Sequence, residues 1–432
     1  MTPLEALEMR FAARESEVRA FLDEPGRFER LRREAAALET AHPDPQRRPP
    51  LFGLPLGVKD IFRVDGFPTR AGSALPSEAL AGEEAECVTR LRSAGALVVG
   101  KTVTTEFAYF APGPTRNPRA LDRTPGGSSS GSAAAVAAGL CELALGTQTI
   151  GSIGRPAAYC GVCGYKPSYD RISRDGVIPL APSVDHVGLL APSIETLQRA
   201  AHVVAHDWQD AVGVYFQAQI GVPVGPYLEK ASIEGKAHFA SVCARLERGG
   251  WKVVEVEAMT DFEEIDARHR LLVAAEAARV HADWFARYEG LYAPKTAELI
   301  RRGQQVSDAE LEALRASRDI LHQALDQLMM RHGLDLWISP PAPGPPPLGL
   351  ESTGDPVMNL PWTHAGLPTL VVPAGTSEEG LPMGLQLAAR FGADEELLAH
   401  GREIAAALAD EASHAGEDRA AGPSTPTPSP LL

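Results

Sequence analysis

A chain of 432 residues, 44% apolar and 22% charged, has ample material for a packed core. Its length fits one large α/β unit as well as two or three domains. The 56 acids against 41 bases leave a net charge of -15, which argues against the clustered positive surface that nucleic acid or an anionic membrane needs. Cys87, Cys141, Cys160, Cys163 and Cys243 are few and odd in number, so no disulfide framework is expected. The start, MTPLEALEMRFAARESEVRAF, carries charges throughout and lacks the apolar run of a secretion signal. No window of about 18 apolar residues is free of charges and glycine breaks, so no membrane span is expected. A cytoplasmic, reducing address is the default expectation.

Residues 4–41 place leucine and alanine on one face and charges on the other, which predicts helix. PDPQRRPP (43–50) breaks it. LFGLPLGVKDIF (51–62) predicts a strand running into a loop, 84–94 a helix, and ALVVGKT (96–102) a buried strand. Residues 103–130 are loop-rich. SAAAVAAGL (132–140) predicts a buried helix, because alanine favours helix and packs closely. Residues 143–167 alternate short apolar pieces with glycines, and 177–193 read as turns. Residues 194–206 predict helix and 208–260 a mixture. Residues 262–332 predict a long helical stretch broken near Pro294 and Gly303. DLWISPPAPGPPP (335–347), PTLVVPAG (368–375) and MGLQLAAR (383–390) predict strands joined by proline turns. Residues 394–412 predict a last helix, and the Pro/Ser/Thr-rich residues 414–432 a disordered tail. Strands alternating with helices predict an α/β sheet covered on both faces, with residues 1–413 as a single domain.

The stretch TPGGSSSGSAAAVAAG (124–139) concentrates small hydroxyls beside flexible backbone. A phosphate-binding loop would need a lysine after the glycines, and none follows. Gly127 to Gly131 matches G-x-S-x-G, which would make Ser129 a nucleophile, but NPRALDRTPG ahead of it does not read as the required strand. A third reading makes the cluster half of a site. GTQTIGSIG (146–154) offers Ser152 in a second glycine-rich turn, and LPLGVKD places Lys59 at the edge of an apolar segment. Burial lowers a lysine pKa by disfavouring the charged form, and a neutral amine can act as a general base. A serine between them could pass the proton. Each piece alone also has an ordinary role: Lys59 as a surface cation beside Asp60, Ser152 as a turn residue, Ser128 as a cap. Residue types alone do not choose.

Other motifs read as structural. Cys160-x-x-Cys163 lies between glycines with no second ligand pair nearby, so two buried thiols are expected. Asp185-His186 are sequence neighbours, which rarely reach triad geometry. No metal spacing appears, and neither metal nor cofactor is expected.

Residues 126–167, GGSSSGSAAAVAAGLCELALGTQTIGSIGRPAAYCGVCGYKP, resemble the defining stretch of the amidase signature family. LFGLPLGVKDIF, GALVVGKTVTTEFAYF (95–110), SVDHVGLLAPS (183–193), GLPTLVVPAG (366–375) and GLPMGLQLAAR (380–390) also match in order, while 205–335 match weakly. The resemblance implies the family's fold, a central mixed twisted β-sheet with helices on both faces. It implies a Ser–cis-Ser–Lys triad: Ser152 as nucleophile, Ser128 as bridge, Lys59 as base. The peptide bond entering Ser128 would be cis, and the backbone of Thr149, Ile150, Gly151 and Ser152 would form the oxyanion hole. Thr105, Phe107, Ser129 and His364 are candidates to line the substrate pocket, and residues 205–335 to wall it.

The commonest family text is GTDTGGSIR. Here Gln148 replaces Asp, Ile150 replaces Gly, and Gly154 replaces Arg with Arg155 following. A β-branched Ile150 requires a turn built with negative φ. Arg155 is expected as a structural partner of Gln148, with contact to substrate as the alternative. Function divides accordingly. The leading expectation is an amidohydrolase of linear amides that hydrolyses a non-peptide C–N bond of a small molecule. A glutamine-hydrolysing amidotransferase subunit working with partner subunits ranks lower, because no basic face or docking segment is evident. An esterase uses the same acyl-enzyme. A silent scaffold is disfavoured by intact Lys59, Ser128 and Ser152. Many family members pair up, so a homodimer is left open.

Overall fold

The computed structural model describes residues 2–209 and 217–420, with side chains as far as residue 409. Its strands are β1 (Pro55–Lys59), β2 (Leu97–Thr102), β3 (Leu143–Gln148), β4 (Cys163–Lys166), β5 (His186–Ala191), β6 (Gln219–Val224), β7 (Lys252–Glu257), β8 (Leu336–Ser339), β9 (Thr369–Thr376) and β10 (Pro382–Ala388). They form one mixed sheet in the order β2-β1-β3-β5-β4-β9-β10-β8-β6-β7. The two ends are parallel and the middle, from β3 to β8, is antiparallel.

Strand alternation sorts the core. Leu143, Leu145, Leu189, Leu370 and Val372 join one cluster with the helices Glu86–Ser93, Ile194–Val204 and Asp394–Ala420. Ala144, Leu190 and Val371 point the other way, onto the helices Pro3–Val18, Ser130–Ala137 and Gly154–Cys160. Trp337 and Ala388 face helices Phe262–Val280 and Asp308–His332 in a third cluster. The sheet is therefore covered on both faces, as expected. Among the described residues no helix is long and apolar enough to cross a membrane.

Three expectations need correction. The helix over 4–41 is two helices, Pro3–Val18 and Arg27–Ala41; Pro25-Gly26 interrupts them and Phe21 bridges to Thr102 at the sheet edge. The turn-like 177–193 contains β5, whose residues are buried and pair with β3 and β4. The last helix runs to Ala420, so residues 414–420 are helical rather than tail; residues 421–432 lie outside the described residues.

The site depends on the small-residue helix Ser130–Ala137. Its only bulk is Val136, so its backbone lies close against the sheet. A Cβ at Gly131 would stand 2.3 Å from Ala20 O and 2.4 Å from Val103 N. Ser132 Oγ lies 2.7 Å from Thr102 Oγ1 and 2.8 Å from Leu145 O, tying the helix to β2 and β3.

Candidate active site

Parallel pairing of β1 with β3 places both carboxyl ends at one edge of the sheet, with Val58 opposite Leu145. Lys59 therefore ends beside Thr147. Its Nζ lies 2.8 Å from Ser128 Oγ and 2.7 Å from Thr147 Oγ1, and the side chain is fully buried. Among the described residues no carboxylate bonds it. Neighbouring Asp60 instead pairs with Lys101 at 2.7 Å. Burial holds the Lys59 amine well below its ordinary pKa; the charge of Asp185 opposes this only in part.

Gly126 has φ +81, and the Gly127–Ser128 peptide is cis. A Cβ at Gly127 would meet Thr353 Cγ2 at 2.6 Å, so this turn needs glycine. Arg155 Nη2 donates to Gly127 O at 2.6 Å, and Thr105 N–H donates to Ser128 O at 3.2 Å.

After β3 the chain turns through 149–153 before helix Gly154–Cys160. Gln148 Oε1 accepts from the Ile153 and Gly154 N–H groups at 2.8 and 3.0 Å. Gln148 Nε2 donates to Thr363 Oγ1 at 2.9 Å, and Thr363 Oγ1 donates to Ile150 O at 2.8 Å. Thr149 Oγ1 donates to Asp185 Oδ1 at 2.6 Å. Asp185 also accepts from Leu180 and Ala181 N–H, and burial raises its pKa against these donors. The N–H groups of Ile150, Gly151 and Ser152 donate to no protein group among the described residues. Ile150 lies outside the left-handed region, so the β-branched side chain fits. Gly151 is a close approach: a Cβ there would sit 2.3 Å from Asn359 Oδ1.

Ser128, Thr149, Ile150, Ser152 and Arg155 line one narrow pocket with Tyr109, Phe110, Leu180 and Thr353. Ser152 Oγ has no hydrogen-bond partner among the described residues. Arg155 is buried, and its Nε and Nη1 also lack partners. Burial lowers its pKa to about 10, so it stays charged at neutral pH.

The structure brings Lys59, Ser128 and Ser152 to this place but not the four expected lining residues. Ser129 Oγ donates to Thr147 O at 3.2 Å and accepts from Thr147 N–H at 3.3 Å, pinning the loop to β3. Phe107 lies in an aromatic cluster, 4.6 Å from the His281 ring and 5.2 Å from Tyr292. Thr105 meets the Ser128 backbone and is not a cavity wall. His364 is buried behind the turn against His269 and Ser317. Arg155 makes no hydrogen bond to Gln148; it donates to Gly127 O and Thr353 Oγ1 instead. Asp185 does not bond His186, whose Nδ1 faces Val184 O. Cys160 and Cys163 are buried and free. The sequence reading missed Thr353, Thr363 and His269; an isolated polar residue in a loop or a helix carries no local sign that it will meet a distant turn.

Fold and constellation together define a hydrolase of carbon–nitrogen bonds. The chain belongs to the Amidase family, whose model matches residues 4–398, and it is an amidohydrolase. It is 32% identical over 460 residues to the A subunit of the glutamyl-tRNA(Gln) amidotransferase of Synechococcus sp. (strain RCC307), covering 93% of both chains. Among solved structures it is similar to an amidase at 35% identity, with a TM-score of 0.84 over 94% of this chain and 96% of that one. It also resembles a chain from a vestigial protein complex tied to the origins of an s-triazine catabolic enzyme, at 30% identity and TM-score 0.83 over 94% of both.

Proposed function

We propose that this enzyme releases ammonia from the carboxamide of a small molecule through an acyl-enzyme on Ser152. The observation that carries the reading is the buried Lys59 amine 2.8 Å from Ser128 Oγ, beside a cavity that Ser128 and Ser152 share. A neutral amine keeps its lone pair for the Ser128 proton while one of its hydrogens goes to Thr147. As Ser152 Oγ attacks the carbonyl carbon, its proton moves to Ser128 and that of Ser128 to Lys59. The carbonyl oxygen becomes an oxyanion, held by the unengaged N–H groups of Ile150, Gly151 and Ser152. The C–N bond then breaks, and the proton on Lys59 returns through Ser128 to the leaving nitrogen. Water enters by the same relay and cleaves the ester of Ser152.

Arg155 narrows the substrate. A buried guanidinium with free donors on the cavity wall suits an acyl part carrying a carboxylate or another strong acceptor. Glutamine fits this description. The similarity to the A subunits of glutamyl-tRNA(Gln) amidotransferases, at 30–33% identity for the first several relatives, favours glutamine hydrolysis with partner subunits over the stand-alone reading. A panel of glutamine, other carboxamides, ureas and esters decides, with mass-spectrometric detection on wild type and S152A. Glutamine turnover that rises on addition of partner subunits supports the amidotransferase reading. Fast turnover of another amide by the chain alone supports the stand-alone one, and turnover by S152A equal to wild type ends both.

A further inference from the structure

Three buried side chains from three helices run in file to the Thr149 carbonyl. Ser317, on Asp308–His332, has its Oγ 2.9 Å from Nε2 of His364, on Leu360–His364. His364 Nδ1 lies 3.1 Å from Nδ1 of His269, on Phe262–Val280. His269 Nε2 lies 3.0 Å from Thr149 O. None of the three lines the cavity.

The last contact sets the direction of both ring protons. A carbonyl oxygen only accepts, so His269 Nε2 carries hydrogen and donates. A neutral imidazole has one N–H, so His269 Nδ1 is bare and accepts from His364 Nδ1–H. His364 Nε2 is then bare and faces Ser317 Oγ, whose one hydrogen is shared between it and Leu314 O at 2.6 Å. The opposite order would set two acceptors against each other beside Thr149, where all three side chains are buried. Burial holds both rings neutral: it lowers His364 to about 3 and His269 well below its ordinary value, with His364 adding to the effect.

A trans peptide is planar, so its C=O and N–H point opposite ways. Fixing Thr149 O therefore fixes the Ile150 N–H. Thr363, donating to Ile150 O, does the same for the Gly151 N–H. Ile150 and Gly151 supply two of the three unengaged donors of the turn.

We propose that His269 and His364 are positioning residues: through the Thr149 carbonyl they aim the Ile150 N–H at the developing oxyanion. This rests on the Ser152 acyl-enzyme reading above. His269 and Ser317 belong to 205–335, the region weakest in family motifs, so that region reaches the reacting turn through a hydrogen-bonded file.

The test needs no known substrate. A fluorophosphonate phosphonylates a nucleophilic serine: the Oγ–P bond forms, fluoride leaves, and the phosphonyl oxygen takes the oxyanion position. Labelling rate and half-saturation are measured for wild type, H269F, H269Q, H364F and H269Q/H364F, with S152A as control. H269F is expected to lower the maximal rate about 10- to 100-fold with half-saturation little changed. H269Q keeps an amide donor for Thr149 O and is expected to stay within about threefold of wild type. H364F slows wild type by freeing the His269 tautomer, but adds nothing to H269Q. An unchanged rate in H269F, or equal damage in H269Q with native circular dichroism and thermal midpoint, overturns the proposal. If H269F does not fold, H364F carries the decision: equal losses in the wild-type and H269Q backgrounds overturn it. Labelling that survives in S152A sinks the Ser152 reading instead, separately from the histidine series.

Discussion

Lys59 meets two hydroxyls and no carboxylate within hydrogen-bond range. Its lowered pKa gives a signed pH dependence. The active form is the neutral amine, so kcat/KM falls as pH drops through the Lys59 value and levels off above it. K59A removes that limb together with most of the rate, and a K59A profile matching wild type would refute the base assignment. Arg155 makes a second prediction. R155M leaves the anionic end of the substrate unpaired, so kcat/KM falls about 10- to 100-fold for carboxylate-bearing amides. It falls much less for neutral amides, measured side by side. Lys59, Ser128 and Ser152 were legible through the resemblance to the family's motifs, since residue types alone left each an ordinary role. Which of Thr105, Phe107, Ser129 and His364 would reach the pocket was not legible, because neighbourhood in sequence does not tell which side of a loop faces it.

The helix Ser130–Ala137 sets how near the Ser128 turn lies to the sheet. G131A is expected to cost about 1–3 kcal/mol or more, since its methyl would overlap two backbone atoms that cannot rotate away. Denaturant unfolding measures this, and a wild-type midpoint would contradict the packing argument. T363V tests the clamp at the next level. It removes the Ile150 O donor and strands Gln148 Nε2, so kcat should fall about tenfold or more while KM holds. The helices over 132–140, 194–206 and 262–332 were legible from composition and period. β5 was not, because His186–Ala191 is short, lies among turn residues, and becomes a strand by pairing on both edges with segments distant in sequence.

Across the whole molecule, the buried amine costs stability that depends on pH. The unfolded chain holds the Lys59 proton up to about pH 10.5, while the folded chain gives it up at a lower pH. Between those values the unfolded state binds more protons, so stability rises with pH. K59M removes this component. Its thermal midpoint should exceed wild type near neutral pH, and the gap should close toward pH 10.5. A gap independent of pH would count against a neutral amine.

The family, and which lysine and serines to watch, could be read from the linear chain, because several separated motifs match the family's in order and spacing. So could the α/β class, through the alternation of apolar strands with helices. Folding in three dimensions was needed to settle the order of ten strands, the buried setting of Lys59, the unpaired donors of Arg155, and the histidine file behind Thr149. Those depend on residues far apart in the chain meeting at short range, and no local period records where a strand edge or a helix flank will come to rest.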